Sequence, residues 1–320
     1  MTAFRTPAIL GSPIAEDVLQ GLSAYPKRLP AKLFYDAEGS RLFEAITQTA
    51  EYYPTRTEFS ILKEYAGEIA TTAGANLTLV ELGAGSATKT RALIEAILRR
   101  QLRLEFHPVD VSPAALQDAV TSLNGDYMHH LHVSPIVADY TANFPPLKSL
   151  PGRKLVLFIG STIGNFEPSE AAQFLRDIRK SLEPGDAFLL GIDLVKDARI
   201  LHDAYNDKQL VTERFNKNVL SRINRELGAD FDVRLFKHIA LWNPLASRIE
   251  MHLESRVAQT VNVRDLNRSF HFDRGERIHT ENSYKFTPAS IAQVLSESGF
   301  RLEKNWTDPK EWFCVLLARA

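Results

Sequence analysis

Two glycines and a carboxylate stand together where a predicted strand passes into a predicted helix. The apolar run Leu77–Leu82 contains Glu81 near its end, and Gly83 and Gly85 follow at once. Glycines at such a turn let the backbone approach a ligand closely, and the ligand then lies at the carboxyl edge of a parallel sheet. These residues therefore predict a site for a nucleotide-like cofactor.

The spacing around this turn does not fit the phosphate-binding loops. A Walker loop needs a glycine directly before its lysine, and in this chain Thr88 precedes Lys89; Thr88 also stands where the dinucleotide fingerprint needs its third glycine. Glu81 would repel a pyrophosphate but tolerate a cation. The turn thus favours S-adenosylmethionine, which has a sulfonium and no phosphate. A tight turn in some other α/β protein is the alternative that it leaves open.

Two more acids follow predicted strands. Asp110 comes directly after the run Leu104–Val109, where an acid can accept both hydroxyls of a ribose. Asp139 ends a third predicted strand, where it could accept from the adenine amino group with Tyr140 packed beside it. Either acid alone could be a cap at a strand end. Acids at three successive strand ends are harder to explain in that way, and they support the same cofactor.

The composition argues against several classes of partner. The chain of 320 residues has a net charge of −1, which gives no electrostatic basis for binding nucleic acid or an anionic membrane. Cys314 is the only cysteine, so neither an intrachain disulfide nor a cysteine metal cluster is expected. No apolar run approaches the ~20 residues that span a bilayer. We expect a cytoplasmic protein and, because no coiled coil or apolar patch is readable, a monomer.

Alternating strands and helices predict a parallel α/β sheet between residues 57 and 195. The predicted elements are the helix Thr57–Ala70, the strand Leu77–Leu82, a helix capped by Ser86 or Thr88, the strand Leu104–Val109, a helix capped by Ser112 with Pro113 first, the strand Lys154–Ile159, the helix Ser169–Leu182 and the strand Ala187–Asp193. Before them, helices are predicted at Ile14–Ala24 and Ser40–Thr49, and Pro54 is expected to end that region.

The pattern changes after residue 196. Helices are predicted at Ala198–Asn206 and Lys208–Leu227, and apolar residues then alternate with polar ones along Arg248–Ser255, as in an antiparallel sheet with one wet face. The α/β character returns with the helix Pro288–Ser298 and the strand Phe313–Ala318. We therefore predict a cofactor domain of residues 57–195 plus 286–320 and a second domain of residues 10–56 plus 196–285.

Seven further segments carry a resemblance to a known family. They are, in order, LPAKLFYDAEGSRLFEAIT at 29–47, EYYPTR at 51–56, FIGSTIGNF at 158–166, GIDLVKD at 191–197, FNKNVLSRINRELGADFD at 215–232, RIEMHL at 248–253 and HTENSYKF at 279–286. Together they closely resemble the histidine-specific S-adenosylmethionine-dependent methyltransferases, and the match extends from about Leu29 to the end of the chain.

The resemblance implies a fold and a reaction. It implies an α/β protein with the Rossmann-like sheet of class I S-adenosylmethionine methyltransferases and an inserted α+β domain that binds the substrate. Members of this family convert L-histidine to hercynine, its Nα-trimethyl betaine, in ergothioneine biosynthesis, and they need no metal. Other members act on tryptophan derivatives, so an N-methyltransferase for another amino acid or a tryptophan-derived amine is the first alternative. A non-catalytic S-adenosylmethionine-binding protein is the second.

The resemblance also implies roles for single residues. Tyr35 is expected beside the sulfonium and the amine, with Phe43 packed in the same region. The expected contacts of the substrate are Tyr52, Asn165 and Tyr205 for its amino and carboxylate groups, Glu281 and Ser283 for its imidazole, and Met251 for its side-chain pocket. The expected contacts of the cofactor are Gly83, Lys89, Asp110, Asp139 and Tyr140.

The pair Glu281 and Ser283 bears on specificity. One intervening residue in a strand places both side chains on the same face. A carboxylate and a hydroxyl suit the two nitrogens of an imidazole, and a site built from hydrogen bonds rejects a substrate that lacks them. Asn282 stands where an apolar residue is common in the family; in a strand its side chain should point away from those of its neighbours.

Overall fold

The computed structural model describes residues 14–141 and 144–320, so residues 10–13 of the predicted second domain lie outside the described residues. The helices in this part of the chain are α1 (Ala15–Ser23), α2 (Ala37–Thr47), α3 (Pro54–Ala73), α4 (Arg91–Leu98), α5 (Pro113–Tyr127), α6 (Pro168–Lys180), α7 (Ala198–Ala204), α8 (Val211–Leu227) and α9 (Pro288–Glu297). None of these described helices combines the length and the apolar character needed to cross a bilayer.

The strands in the described part of the chain differ widely in length, and the shortest of them lie at the edges of the sheets. In chain order they are β1 (Lys27–Arg28), β2 (Leu77–Leu82), β3 (Leu104–Asp110), β4 (Leu131–Val133), β5 (Ile136–Val137), β6 (Arg153–Phe158), β7 (Ala187–Asp193), β8 (Phe236–Asn243), β9 (Arg248–Ser255), β10 (Gln259–Val263), β11 (Arg268–Phe272), β12 (Arg277–Tyr284), β13 (Arg301–Thr307) and β14 (Phe313–Arg319).

The chain divides into two compact units, each built from two separate stretches. The first, which we call the α/β unit, consists of Pro54–Lys196 and Tyr284–Ala320. The second, which we call the α+β unit, consists of the residues up to Tyr53 together with Asp197–Ser283. The stretch Asp197–Ser283 therefore interrupts the α/β unit in sequence.

A mixed, mostly parallel sheet forms the centre of the α/β unit. Its strands run in the order β13-β14-β7-β6-β2-β3-β4, with β5 also paired to β3. Strands β2, β3, β4, β5, β6 and β7 pair in parallel, whereas β14 is antiparallel to both of its neighbours. This Rossmann-like sheet confirms the fold class expected from the sequence. The strand order reverses between β2 and β6, and open α/β sheets bind ligands at the carboxyl ends of strands at such a point.

Both faces of the central strands of this sheet are buried, which explains why β2, β6 and β7 are largely apolar. Side chains of β2 alternate between two cores: Leu77 and Leu79 lie in the core with α3, α4 and α5, while Val80 and Leu82 lie in the core with α6 and α9. A strand with so little polar surface is held in register by both layers. Its carboxyl end, where the glycine turn begins, is consequently fixed in place.

A smaller sheet forms part of the α+β unit, in the order β1-β12-β9-β8. Strands β8 and β9 pair antiparallel from Phe236 opposite Ser255 to Asn243 opposite Arg248. Side chains along β9 alternate between buried and half-buried, so the predicted sheet with one wetter face is confirmed. A separate antiparallel hairpin joins β10 and β11.

Apart from shifts of a single residue, four helix starts differ from those predicted. Helix α2 begins at Ala37 and not at Ser40, because Asp36 caps it. Pro54 opens α3 instead of ending the preceding region, because proline suits the first position of a helix, where its missing N–H costs nothing. Helix α8 begins at Val211 and not at Lys208, since Asp207 accepts hydrogen bonds from the backbone N–H groups of Val211 at 2.9 Å and Thr212 at 2.7 Å. The fourth difference is the late start of α4 at Arg91, which follows from the structure of the glycine turn.

Asp36 anchors the segment that carries Tyr35. Its Oδ1 atom accepts from the Gly39 N–H at 2.6 Å, which caps α2, and from the Asn218 amide at 2.8 Å. Its Oδ2 atom accepts from the Arg225 guanidinium at 2.5 Å. Asn218 and Arg225 both belong to α8, so one carboxylate caps one helix and joins it to another.

We predict that Asp36→Ala lowers the free energy of unfolding by about 2 to 3 kcal/mol, because a cap and a charge-assisted hydrogen bond are lost together. Asp197→Ala is the matched control, since Asp197 caps α7 through a single bond to the Arg199 N–H and should cost about 1 kcal/mol. Urea denaturation measures both values. Equal losses in the two variants would show that the contacts of Asp36 to α8 contribute nothing.

Candidate active site

The glycine turn after β2 requires glycine for two separate reasons. Gly83 and Gly85 have φ of +71° and +50°, in the left-handed region that favours glycine. The Gly83 N–H donates to the Val109 carbonyl at 2.8 Å, which ties the turn to β3. A Cβ atom on Gly83 would also lie only 3.0 Å from the Tyr140 hydroxyl oxygen. The structure therefore brings Gly83 and Tyr140 together, as expected for one ligand site.

Asp110 ends β3 and belongs to the same turn. Its Oδ2 atom accepts from the Gly85 N–H at 3.0 Å, and its Oδ1 atom accepts from the Ser112 N–H at 2.9 Å. A carboxylate has about four acceptor positions. Both oxygens can therefore accept another hydrogen bond, which is what a ribose diol would offer.

Asp139 lies beyond the end of its strand and not within it, because the pairing of β5 with β3 stops at Val137 opposite Asp110. The exposed Asp139 carboxylate accepts from the Thr141 N–H at 2.9 Å. Tyr140, its neighbour, turns inward, with its ring centroid 5.9 Å from those of Phe158 and Phe174. Burial raises the pKa of the Tyr140 hydroxyl, and the nearby acids raise it further.

Glu81 is buried at the end of β2 and explains the unexpected start of α4. The Thr90 hydroxyl donates to its Oε2 atom at 2.6 Å, and α4 begins one residue later, at Arg91. Ser86 and Thr88, the predicted caps, instead lie within hydrogen-bond distance of each other at 2.9 Å. Leaving a buried carboxylate without a hydrogen bond costs more free energy than leaving a helix uncapped, so the Thr90 hydroxyl bonds to Glu81 and not to the start of the helix. Burial raises the pKa of Glu81 to about 7.

Lys89, in the same turn, forms an ion pair with Glu58 of α3. The Glu58 side chain has no exposure to solvent, whereas that of Lys89 is 24% exposed. The other Glu58 oxygen accepts from the Gly160 N–H at 2.7 Å. Sequence reasoning missed Glu58, because a glutamate near the start of an amphipathic helix is expected to face solvent.

Asn165 lies in a short helical turn, Thr162–Asn165, that follows β6. Ser161 precedes this turn with φ of +56°, and its hydroxyl oxygen accepts from the Asp193 N–H at 2.9 Å. Gly164 allows the turn to pack closely, since a Cβ atom there would lie 2.7 Å from the Tyr284 carbonyl oxygen. Contacts with β7 and with Tyr284 thus hold the turn that carries Asn165.

Asp193 is a buried acid at the end of β7 with two lysine partners. Lys196 lies 2.5 Å from its Oδ1 atom and Lys285 lies 2.8 Å from its Oδ2 atom. Burial alone would raise the pKa of Asp193, but the two ammonium groups hold it below its usual value. The ionised carboxylate therefore joins the end of β7 to the segment that follows β12.

In the α+β unit, four of the predicted site residues form a continuous line of aromatic rings. The ring centroids of Tyr35 and Phe43 are 6.0 Å apart, those of Phe43 and Tyr52 are 6.3 Å apart, and those of Tyr52 and Tyr205 are 6.3 Å apart. All three pairs meet edge to face, an arrangement that aromatic rings favour. The Tyr205 hydroxyl then donates to the Ser283 hydroxyl oxygen at 2.7 Å, which extends the line to β12.

Phe215 of α8 is part of this cluster, although sequence reasoning gave it no role. Its ring centroid lies 6.0 Å from that of Tyr35 and 6.1 Å from that of Phe43. The available signal was its place at the head of one of the seven family-like segments. Its contacts indicate that it supports the rings of both predicted catalytic residues.

A buried polar network fixes Tyr205 from behind. The amide nitrogen of Asn216 donates to Nδ1 of His238 at 2.9 Å, so Nε2 carries the proton and donates to the Tyr205 carbonyl at 2.9 Å. The Asn216 amide oxygen accepts from the Thr280 hydroxyl at 2.8 Å. Burial lowers the pKa of His238, which favours the neutral ring that this network requires.

Strand β12 carries the predicted specificity pair. Ser283 is buried and Glu281 is half-buried, while Asn282 between them is also buried. The Asn282 Oδ1 atom lies 2.9 Å from His279 Nε2, so this residue has a structural partner of its own. Met251, on the adjacent strand β9, is 2% exposed, and its carbonyl oxygen lies 3.0 Å from the Thr280 hydroxyl oxygen.

Comparisons with known proteins point to one family. The model of the family described as "Histidine-specific methyltransferase, SAM-dependent" matches residues 14–320. A histidine N-alpha-methyltransferase of Mycolicibacterium smegmatis is 45% identical over 305 residues, covering 95% of this chain and 94% of the relative. One from Mycobacterium tuberculosis is 43% identical, covering 95% and 94%. An N-methyltransferase of Aspergillus flavus is 29% identical, covering 91% and 81%.

Because the pKa of Glu81 is about 7 in the folded protein against an ordinary value of 4.5, the folded state binds a proton that the unfolded chain releases between these values. Stability must therefore fall as pH rises through that window. Glu81→Gln stays neutral and keeps an oxygen for Thr90. We predict that the variant gains on the order of 2 to 3 kcal/mol relative to the parent between pH 5 and pH 8.

Denaturant titrations of both proteins at the two pH values, without ligand, measure this gain. The same stability difference at pH 5 and at pH 8 would mean that Glu81 is already ionised in the folded protein at pH 5.

Proposed function

The chain belongs to the family of histidine-specific, S-adenosylmethionine-dependent methyltransferases, and we propose that it trimethylates the α-amino nitrogen of L-histidine to give hercynine. Similarity along nearly the whole chain to enzymes of that name carries the proposal. The line from Tyr52 through Tyr205 to Ser283 supports it, because it joins the residues proposed for the amino-acid end of the substrate to one proposed for its ring.

The α/β unit has the groups that the methyl donor needs. S-adenosylmethionine supplies a methyl group made electrophilic by a positively charged sulfur. We assign its binding to Gly83, Lys89, Asp110, Asp139 and Tyr140. Lys89 would pair with the donor's carboxylate, Asp110 would accept from the ribose hydroxyls, and Asp139 would accept from the adenine amino group. Gly83, where a Cβ atom would crowd the Tyr140 hydroxyl, provides the close backbone approach.

The residues assigned to the amino and carboxylate groups of the substrate are Tyr52, Asn165 and Tyr205. Each offers a hydroxyl or an amide and none is a carboxylate. This choice suits repeated methylation, because the amine must turn between steps and must be neutral to attack. A carboxylate would stabilise the ammonium form, whereas a poorly solvated pocket lowers the pKa of an amine.

The chemical step is a displacement at carbon. The nitrogen–carbon bond forms as the carbon–sulfur bond breaks, and sulfur keeps the electron pair and leaves as a neutral thioether. The resulting ammonium releases a proton to water before the next transfer. The protein contributes chiefly by holding the amine in line with the methyl–sulfur bond. Tyr35 and Phe43 contribute aromatic surface, and the face of an aromatic ring attracts a cationic group.

Selection of histidine is assigned to Glu281 and Ser283, with Met251 as an apolar contact. Ser283 accepts from Tyr205, and its hydroxyl is of a type that can donate to an imidazole nitrogen. The Glu281 carboxylate can accept from the other ring nitrogen. An amino acid with an apolar ring offers neither group a hydrogen bond, and a site that selects its substrate by hydrogen bonds rejects such an analogue strongly.

A substrate panel tests the proposed function. The purified protein is incubated with S-adenosylmethionine and one candidate acceptor at a time: histidine, tryptophan, phenylalanine or a tryptophan-derived amine. Mass spectrometry then measures the masses of the products. We expect three added methyl groups on histidine and none on the others. Methylation of tryptophan or its derivatives alone would contradict the assignment to histidine.

We predict that Glu281→Ala lowers kcat/KM for L-histidine at least roughly tenfold, about 1.4 kcal/mol, because one ring nitrogen loses its acceptor. Glu254→Ala is the control: it removes an acid from β9 whose partner is Arg277, and kcat/KM should stay within about twofold of the parent value. Steady-state assays at saturating S-adenosylmethionine give both values. Equal kcat/KM in Glu281→Ala and the parent would remove Glu281 from the pocket.

A further inference from the structure

Glu58 is a wholly buried acid whose two oxygens serve two different turns. It lies near the start of α3, and its side chain has no exposure to solvent. One oxygen accepts from the Gly160 N–H at 2.7 Å, at the end of β6. The other pairs with Lys89, in the glycine turn after β2. A single carboxylate thus joins the turns on both sides of the point where the strand order reverses.

The surroundings of Glu58 are shaped to admit this carboxylate. A Cβ atom on Gly191 of β7 would lie 2.0 Å from the Glu58 Oε1 atom. The φ of Gly191 is not in the left-handed region, so the space beside the carboxylate, and not the backbone conformation, is what requires glycine there. Gly160 has φ of +85°, and a Cβ atom there would lie 3.4 Å from Lys89 Nζ. Acid, ammonium and turn are therefore packed as one group.

We propose that Glu58 is a positioning residue that holds Lys89 in place for the carboxylate of the methyl donor. The proposal rests on the function proposed above, in which Lys89 binds that group. A partly exposed lysine has several rotatable bonds, and fixing them costs conformational entropy. The ion pair with Glu58 restricts the Lys89 side chain before the ligand binds, and pre-organisation of this kind raises the affinity for the ligand.

A purely structural ion pair would behave differently. Loss of a structural pair would lower stability without changing the affinity of the folded protein for the methyl donor. A positioning residue must act through Lys89, so its removal should matter only while Lys89 is present. Variants at the two positions, made singly and together, separate these roles.

The experiment measures the dissociation constant of S-adenosylmethionine by calorimetry, without histidine, for the parent, Glu58→Gln, Lys89→Met and the double variant. Glu58→Gln keeps an oxygen for the Gly160 N–H but faces Lys89 with an uncharged amide. We expect the dissociation constant to rise at least about tenfold in each single variant, and the double variant to bind no more than about twofold more weakly than Lys89→Met.

Glu68→Gln is the matched control on the same helix, since Glu68 also pairs with a lysine, Lys304, but is 43% exposed. Its dissociation constant should equal that of the parent. If Glu58→Gln does not fold, Glu58→Asp takes its place: it keeps the charge but is one methylene too short for both partners, and its dissociation constant should also rise.

Unchanged affinity in a folded Glu58 variant, or losses that multiply in the double variant, would overturn the positioning role. A parent protein that does not bind S-adenosylmethionine would instead contradict the proposed function. Because histidine is absent, an error in the assignment of the acceptor cannot affect either result.

Discussion

Burial of carboxylates at the carboxyl edge of the sheet is the constraint on which the α/β unit depends. Glu58 and Asp193 have no measurable exposure and Glu81 is 2% exposed. Removing an ionised carboxylate from water costs several kcal/mol unless partners offset it. Each acid therefore constrains the position of the groups that bond to it. Most of these groups lie in the turns after β2, β6 and β7, to which the methyl donor and Asn165 are assigned.

The acids meet this constraint in different ways. Glu58 and Asp193 have lysine partners, and the two lysines of Asp193 hold its pKa below the usual value. Glu81 instead accepts from the Thr90 hydroxyl, and burial raises its pKa to about 7. The carboxyl edge of this sheet thus combines Glu81, which titrates near neutral pH, with turns that are held in place by the ion-paired acids Glu58 and Asp193. That arrangement suits a cationic ligand with a carboxylate of its own.

The sequence predicts elements well where a local pattern decides them. The strands Leu77–Leu82, Ala187–Asp193 and Arg248–Ser255 have the bounds that their apolar runs or alternation indicate. Ser112 caps α5 as expected. Local patterns fail where a side chain outside the element determines its bounds. Helix α4 starts later than predicted because the Thr90 hydroxyl bonds to Glu81. The partners of Glu58 lie 31 and 102 residues away in the chain, beyond the reach of any local pattern.

The same distinction between local pattern and distant contacts applies to the candidate site. Motif resemblance assigns Tyr35, Phe43, Tyr52 and Tyr205 one by one, and their ring contacts now make them a single cluster supported by Phe215. Nothing in their spacing indicates that cluster, because it depends on how α2 and α8 pack. The roles assigned to these residues are proposals, and all of them depend on the amine, and not the ring, being the group that is methylated.

Nuclear magnetic resonance with a ¹³C-labelled methyl donor tests that claim most directly. L-Histidine is converted in full by the purified protein, and the labelled carbons are correlated with protons of the product. We expect one N-methyl signal, equivalent to three carbons and coupled through nitrogen to the α-carbon. A labelled methyl correlated with the imidazole protons would place the transfer on the ring and contradict methylation of the amine.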